Sequence, residues 1–127
     1  MKKNESLYDV HFNHVEWENK LKFYADEIKI FTNRLGEIAS KNTNNDILIK
    51  VEHFQNQFII QKNNIDEIIH KIHIGENEIQ DAANSNLVAV DHRRVGDHSP
   101  LREEVNYFEK SFSELKNDYN LFSTQWM

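Results

Sequence analysis

The sequence predicts an all-α protein, an antiparallel three-helix bundle of long, coiled-coil-like helices forming one domain over residues 1–127. Three observations carry this. Apolar residues recur at alternating spacings of three and four, the signature of a helix seam rather than a strand. Three such seams follow one another, separated by polar, cap-forming stretches. The chain also holds only 3 Gly and 1 Pro among 127 residues, too few for the turns of a β-sandwich or barrel.

The first helix is expected from about residue 5 to about residue 40. Its seam runs Leu7, Val10, His14, Trp17, Leu21, Tyr24, Ile28, Phe31, Leu35, Ile38, with His14 the one polar member. Ser40 to Asp46 is polar and rich in cap formers, and reads as a short turn. Thr43, Asn44 or Asn45 then caps the second helix, and Asp46 faces its positive end. That second helix is expected over about 45–84. Its seam is Ile47, Val51, Phe54, Phe58, Gln61, Ile65, Ile68, Ile72, broken only by Gln61. Gly75 costs roughly 1 kcal/mol inside a helix relative to Ala, which leaves a kink, an end or an unbroken helix open there. An irregular loop follows over about 85–98. Ser99 then serves as N-cap and Pro100 as first helical residue of a third helix, about 99–126, with seam Leu101, Val105, Phe108, Phe112, Leu115, Tyr119, Phe122, Trp126. Trp17, Trp126 and the eight phenylalanines read as core fillers.

The unequal helix lengths bear on function. If helix three starts at the far end of helix two, it runs out beside the middle of helix one. The hairpin tip, roughly 30–58, is then a two-helix arm presenting Phe31, Leu35, Ile38, Val51 and Phe54, with Ile59 and Ile60 widening the apolar face. Such a stripe seeks a partner, most simply a second copy in a homodimer. If the connection folds back instead, helix three covers the tip.

Histidines supply the candidate chemistry. His11 and His14, and His70 and His73, have helical i, i+3 spacing, and a turn near residue 43 brings both pairs to one end of the bundle. Glu18 lies four residues after His14, and Glu67 three before His70. Imidazole and carboxylate from facing helices are what a zinc or iron site requires. That makes a small metal- or haem-binding bundle the alternative function. Glu67-x-x-His70 is one copy of a spacing that di-iron bundles use twice, and Glu109 is the one plausible further carboxylate. His70 and His73 fall on the outer side of helix two, so the expectation is no cofactor.

A second cluster, Arg93, Arg94 and Arg102, lies near a helix N-terminus and has the composition of an anion site. The competing reading is a solvated loop whose arginines pair with Asp91, Asp97 and the acidic run Glu76, Glu78 and Asp81. His14 and Gln61 read as buried polar residues that fix helix register.

The sequence holds no P-loop, nucleotide fingerprint, nucleophile elbow or His-Glu-x-x-His motif, and no Cys for a thiolate site or a disulfide. Its 15 basic and 21 acidic residues give a net charge of −6, which argues against nucleic acid as a partner. Lys2 and Lys3 precede no apolar run, and no stretch approaches the ~20 apolar residues of a membrane span, so the expected location is the cytoplasm.

His98, Leu101-Arg102, Val105, Phe108-Glu109, Phe112, Leu115, Phe122 and Trp126-Met127, with Val51-Glu52-His53-Phe54-Gln55-Asn56-Gln57, resemble the last and second helices of small all-helical proteins of Bacteroidota to which no activity is assigned. The resemblance implies an all-helical fold and singles out His53, Gln57 and Trp126. The residues themselves point to a non-enzymatic helical bundle acting through itself or a protein partner.

Overall fold

The computed structural model describes residues 6–85 and 99–126. Three helices and no strands make up these residues: α1 (Leu7–Lys41), α2 (Asn45–Ser85) and α3 (Ser99–Trp126). α1 and α2 form an antiparallel hairpin, and α3 packs along it, parallel to α1.

The helix ends follow from local chemistry. Ser6 caps α1, its hydroxyl accepting from the Asp9 amide at 3.2 Å. Asn42 closes α1 by donating from Nδ2 to the Ile38 carbonyl at 2.8 Å. Asn44 caps α2, its Oδ1 accepting from the Asp46 amide at 2.8 Å. α3 begins at Ser99, so Ser99 is its first helical residue rather than the residue before it. α2 continues through Gly75 to Ser85. Gly75 is buried, and the flanking Ile72 and Ala82 are buried too, so packing offsets the ~1 kcal/mol that glycine costs a helix.

The three seams form one core, centred on aromatic rings. Tyr119 of α3 packs on Phe31 of α1 (4.7 Å between ring centroids) and on Phe58 and Phe54 of α2 (5.5 and 6.0 Å). Phe122 meets Phe54 at 5.3 Å, and Phe112 meets Tyr24 at 5.2 Å. The two polar breaks in the seams are indeed buried, His14 and Gln61 both. Gln61 donates from Nε2 to Ser111 Oγ at 3.0 Å, and its Oε1 accepts from Asn64 at 3.3 Å, so it ties α2 to α3 without an orphaned amide.

The position of α3 along the hairpin corrects the expected exposed tip. α3 starts beside Trp17, where Arg102 lies over the indole, and Lys71 donates to Glu104 at 2.8 Å. It ends beside Phe54. The tip is therefore closed: Leu35, Ile38, Val51 and Phe54 are buried and Phe31 is half-buried, so these five do not form a free partner surface. The physical reason is burial. Each large apolar side chain removed from water contributes about 1.5–3 kcal/mol, and sliding α3 toward the turn covers the whole tip. Ile59 and Ile60 do remain exposed. Among the described residues, α3 leaves the opposite end as two layers, where Leu7 and Val10 pack against Ala82 and Ile79.

The expectation that Trp126 and every phenylalanine fill the core also fails, with Trp126 exposed on the last turn of α3. Phe12 and Phe23 are exposed on α1, because they sit on the helix face opposite the seam.

Two substitutions test this core. Phe58→Ala should destabilise the fold by about 3–5 kcal/mol through the cavity it leaves. The Tyr119 hydroxyl is buried with no hydrogen-bond partner among the described residues, so Tyr119→Phe should raise stability by roughly 1 kcal/mol. Urea unfolding monitored by helix circular dichroism reads both.

Candidate functional site

The two-layer end gathers the histidines. α1 supplies His11 and His14 on successive turns of one face, and α2 supplies Glu76 opposite them. His11 Nδ1 donates to Glu76 Oε1 and His14 Nδ1 donates to Glu76 Oε2, both at 2.6 Å. A carboxylate has no proton to give, so each Nδ1 carries one and the two oxygens are divided between two imidazoles. His11 is exposed, Glu76 is about three-quarters buried and His14 is fully buried, with Trp17 at 5.8 Å between ring centroids. One carboxylate thus anchors a core histidine and a surface histidine of the facing helix. A shallow, almost wholly apolar groove of about 220 Å³ runs beside it, lined by Leu7, Tyr8, His11, Ile79 and Ala83.

One turn further along, Glu18 of α1 accepts from His73 Nε2 at 3.1 Å and from Lys22 at 3.0 Å. Partial burial would raise the Glu18 carboxyl, but the hydrogen bonds from His73 and Lys22 outweigh it and hold the group below its ordinary 4.5. Towards the bundle centre, the Tyr24 hydroxyl donates to Glu109 Oε2 at 2.8 Å, and Lys20 pairs with the same carboxylate at 3.4 Å. Burial, with the Glu109 charge beside it, pushes the Tyr24 hydroxyl up to about 12. Lys116 of α3 reaches Glu27 of α1 at 3.1 Å.

The sequence-predicted metal residues are therefore brought to one end but not to one point. His11 and His14 share Glu76, His73 pairs with Glu18, and Glu67 and His70 are exposed on the outer side of α2. Among the described residues, no three histidine, aspartate or glutamate side chains form a group that could hold a metal ion. Glu109, the further carboxylate considered from sequence, is engaged by Tyr24 and Lys20 instead. Arg93 and Arg94 lie outside the described residues. Arg102 stacks its guanidinium over Trp17 at 5.4 Å, a cation–π contact that seats the start of α3. Glu76 is the member of the cluster that the sequence reading assigned elsewhere. Its signal was present: the fold-back that levels His14 with Ile72 levels His11 with Gly75 and Glu76.

A second feature has no chemistry but much surface. Tyr8, Phe12, Val15, Phe23 and Ile30 are all exposed, from 44% for Val15 to 72% for Tyr8. At 3.6 residues per turn they fall within one ~80° arc of α1, opposite its core seam. α1 thus has two apolar faces, only one of which the chain itself covers. No helix among the described residues is long and apolar enough to cross a membrane. No family model, curated protein or solved structure matches the chain.

Two predictions concern the polar end. Glu76→Ala removes the carboxylate to which the buried His14 Nδ1 donates and should cost about 1–3 kcal/mol, whereas His11→Ala, at an exposed ring, should cost within ~0.5 kcal/mol. Denaturant midpoints distinguish them. For Glu18, a folded-state value below 4.5 means its contribution is complete above the unfolded value and is lost as pH falls through the folded one. Glu18→Gln should therefore destabilise the protein at pH 7 and become neutral near pH 2, as read from unfolding curves at the two pH values.

Proposed function

We propose that this chain is a cytoplasmic, non-enzymatic helical-bundle module that acts by protein–protein contact, with self-association its simplest form. One observation carries the reading: the exposed apolar stripe on α1, which the bundle leaves uncovered. Its five side chains expose roughly 500–600 Å² of apolar surface, taking ~150–250 Å² for a whole aromatic side chain. The largest apolar patch of a typical monomer covers about 300–600 Å² and is often functional, so a stripe at the upper end of that range supports an interaction site. Ile59 and Ile60 on the outer side of α2 add a smaller apolar spot, in keeping with the partner role expected of them from sequence.

The charge balance shapes how such contact forms. Two copies each carrying −6 repel at long range, so association must come from buried apolar area rather than from steering. Salt shortens that repulsion to about 10 Å at 0.1 M. Sedimentation equilibrium across roughly 1–200 μM should show a concentration-dependent dimer that tightens from ~20 mM to ~200 mM salt. A chain that stays monomeric throughout overturns self-association.

A further inference from the structure

We propose that the end of the bundle beyond Trp17 opens as a unit of its own while the three-helix core stays folded, and that Glu76 is its latch. The unit comprises residues 7–14 of α1 and 75–85 of α2. This goes beyond the partner reading above and does not depend on it.

Among the described residues, the buried apolar side chains fall into two clusters rather than one. The large cluster reaches Trp17 on α1 and Ile72 on α2, and takes in α3 from Val105 to Phe122. The small one holds Leu7, Val10 and Ala82, with Ile79 packed against them, and draws on α1 and α2 alone. The seams account for the gap. Between Val10 and Trp17 the α1 seam passes through His14, and between Ile79 and Ile72 the α2 seam passes through Gly75. Both helices therefore lack an apolar side chain at the same step of the seam. Shared burial of apolar area is what couples neighbouring layers into one cooperative unit, so an interruption on both helices is a boundary.

A carboxylate spans that boundary instead. Glu76, next to Gly75, accepts from His14 and from His11, both at 2.6 Å. Two further links lie on the core side of it: His73 donates to Glu18 at 3.1 Å, and Lys71 donates to Glu104 of α3 at 2.8 Å. These persist when the end parts, whereas both Glu76 bonds break. Parting also exposes Leu7, Val10, Ile79 and Ala82, a small area beside the 17 buried side chains of the large cluster. Once parted, each segment is an unpaired helix end. Such an end frays in water, because packing supplies most of a helix's stability.

Native-state hydrogen exchange of the full chain, read residue by residue by NMR from zero to about 2 M urea, tests this. Amides of residues 11–14 and 76–84 should exchange through an opening nearly independent of urea, and those of 28–38 and 54–68 through one that rises steeply with it. Glu76→Ala should speed exchange at the end roughly 5- to 150-fold. Ile65→Val, a small change in the large cluster that keeps the fold, should speed core exchange roughly 2- to 10-fold and leave the end as it was. Equal opening free energies in the two groups, or an end that Ile65→Val speeds as much as the core, would show one cooperative unit and overturn the proposal. An end that opens separately yet ignores Glu76→Ala would overturn the latch.

Discussion

The packing of Tyr119 among Phe31, Phe54 and Phe58 is the contact on which the rest of the arrangement depends. Helices α1 and α2 could pair by their seams alone, since a short turn leaves them little choice of register. α3 has no such constraint, and a repeating apolar seam accepts a neighbour at several offsets about 10 Å apart. The rings decide between them. Placing Tyr119 where all three helices meet sets Phe122 against Phe54 and Phe112 against Tyr24. Polar links then agree with that register: Gln61 with Ser111, Lys116 with Glu27, Tyr24 with Glu109. A shift of one heptad would break these pairs and strand the buried Gln61 amide, at a cost of about 1–3 kcal/mol.

Closing the tip has a consequence at the other end. α3 begins beside Trp17, so the first turns of α1 and the last turns of α2 hold together as a pair. Their apolar contact is small, Leu7 and Val10 against Ala82 and Ile79. The bidentate grip of Glu76 on His11 and His14 supplements it with two short hydrogen bonds between helices. His14 thus works as a register residue of the kind its place in an apolar seam suggests, and its partner is a carboxylate from the facing helix.

How much of this was legible in the sequence follows from what each feature depends on. The helices rest on local spacing and the cap of α2 on Asn44, so they are legible directly, whereas Ser99 has the chemistry of a cap yet lies inside α3. The tip residues Leu35, Ile38, Val51 and Phe54 were correctly read as apolar seam, but their exposure was not, because it depends on the axial offset of α3. Nothing local encodes that offset; it is settled by which aromatic rings meet. The histidine cluster was half legible. Fold-back arithmetic brought His11, His14 and His73 to one end, and the same arithmetic reached Glu76, but its place in a run of acidic residues suggested arginine partners. Residue type alone points Phe12 and Phe23 to the core, but their positions lie off the heptad that carries Trp17 and Leu21, and position decides their exposure.

Those two rings make α1 unlike its neighbours. A helix in a three-helix bundle is contacted by two others on one side and by solvent on the other, so one apolar seam saturates what the fold can bury. α2 and α3 stay closer to that limit, with a small spot at Ile59 and Ile60 and other exposed apolar residues such as Tyr107 and Leu121 spaced apart, which is ordinary for a protein surface. α1 exceeds it with five exposed apolar residues, Tyr8, Phe12, Val15, Phe23 and Ile30, on one arc opposite its core seam. A seam meant for α2 or α3 would instead continue the heptad of Leu7, Val10 and His14. An apolar arc independent of the intramolecular seam is surface that the fold itself has no means to bury.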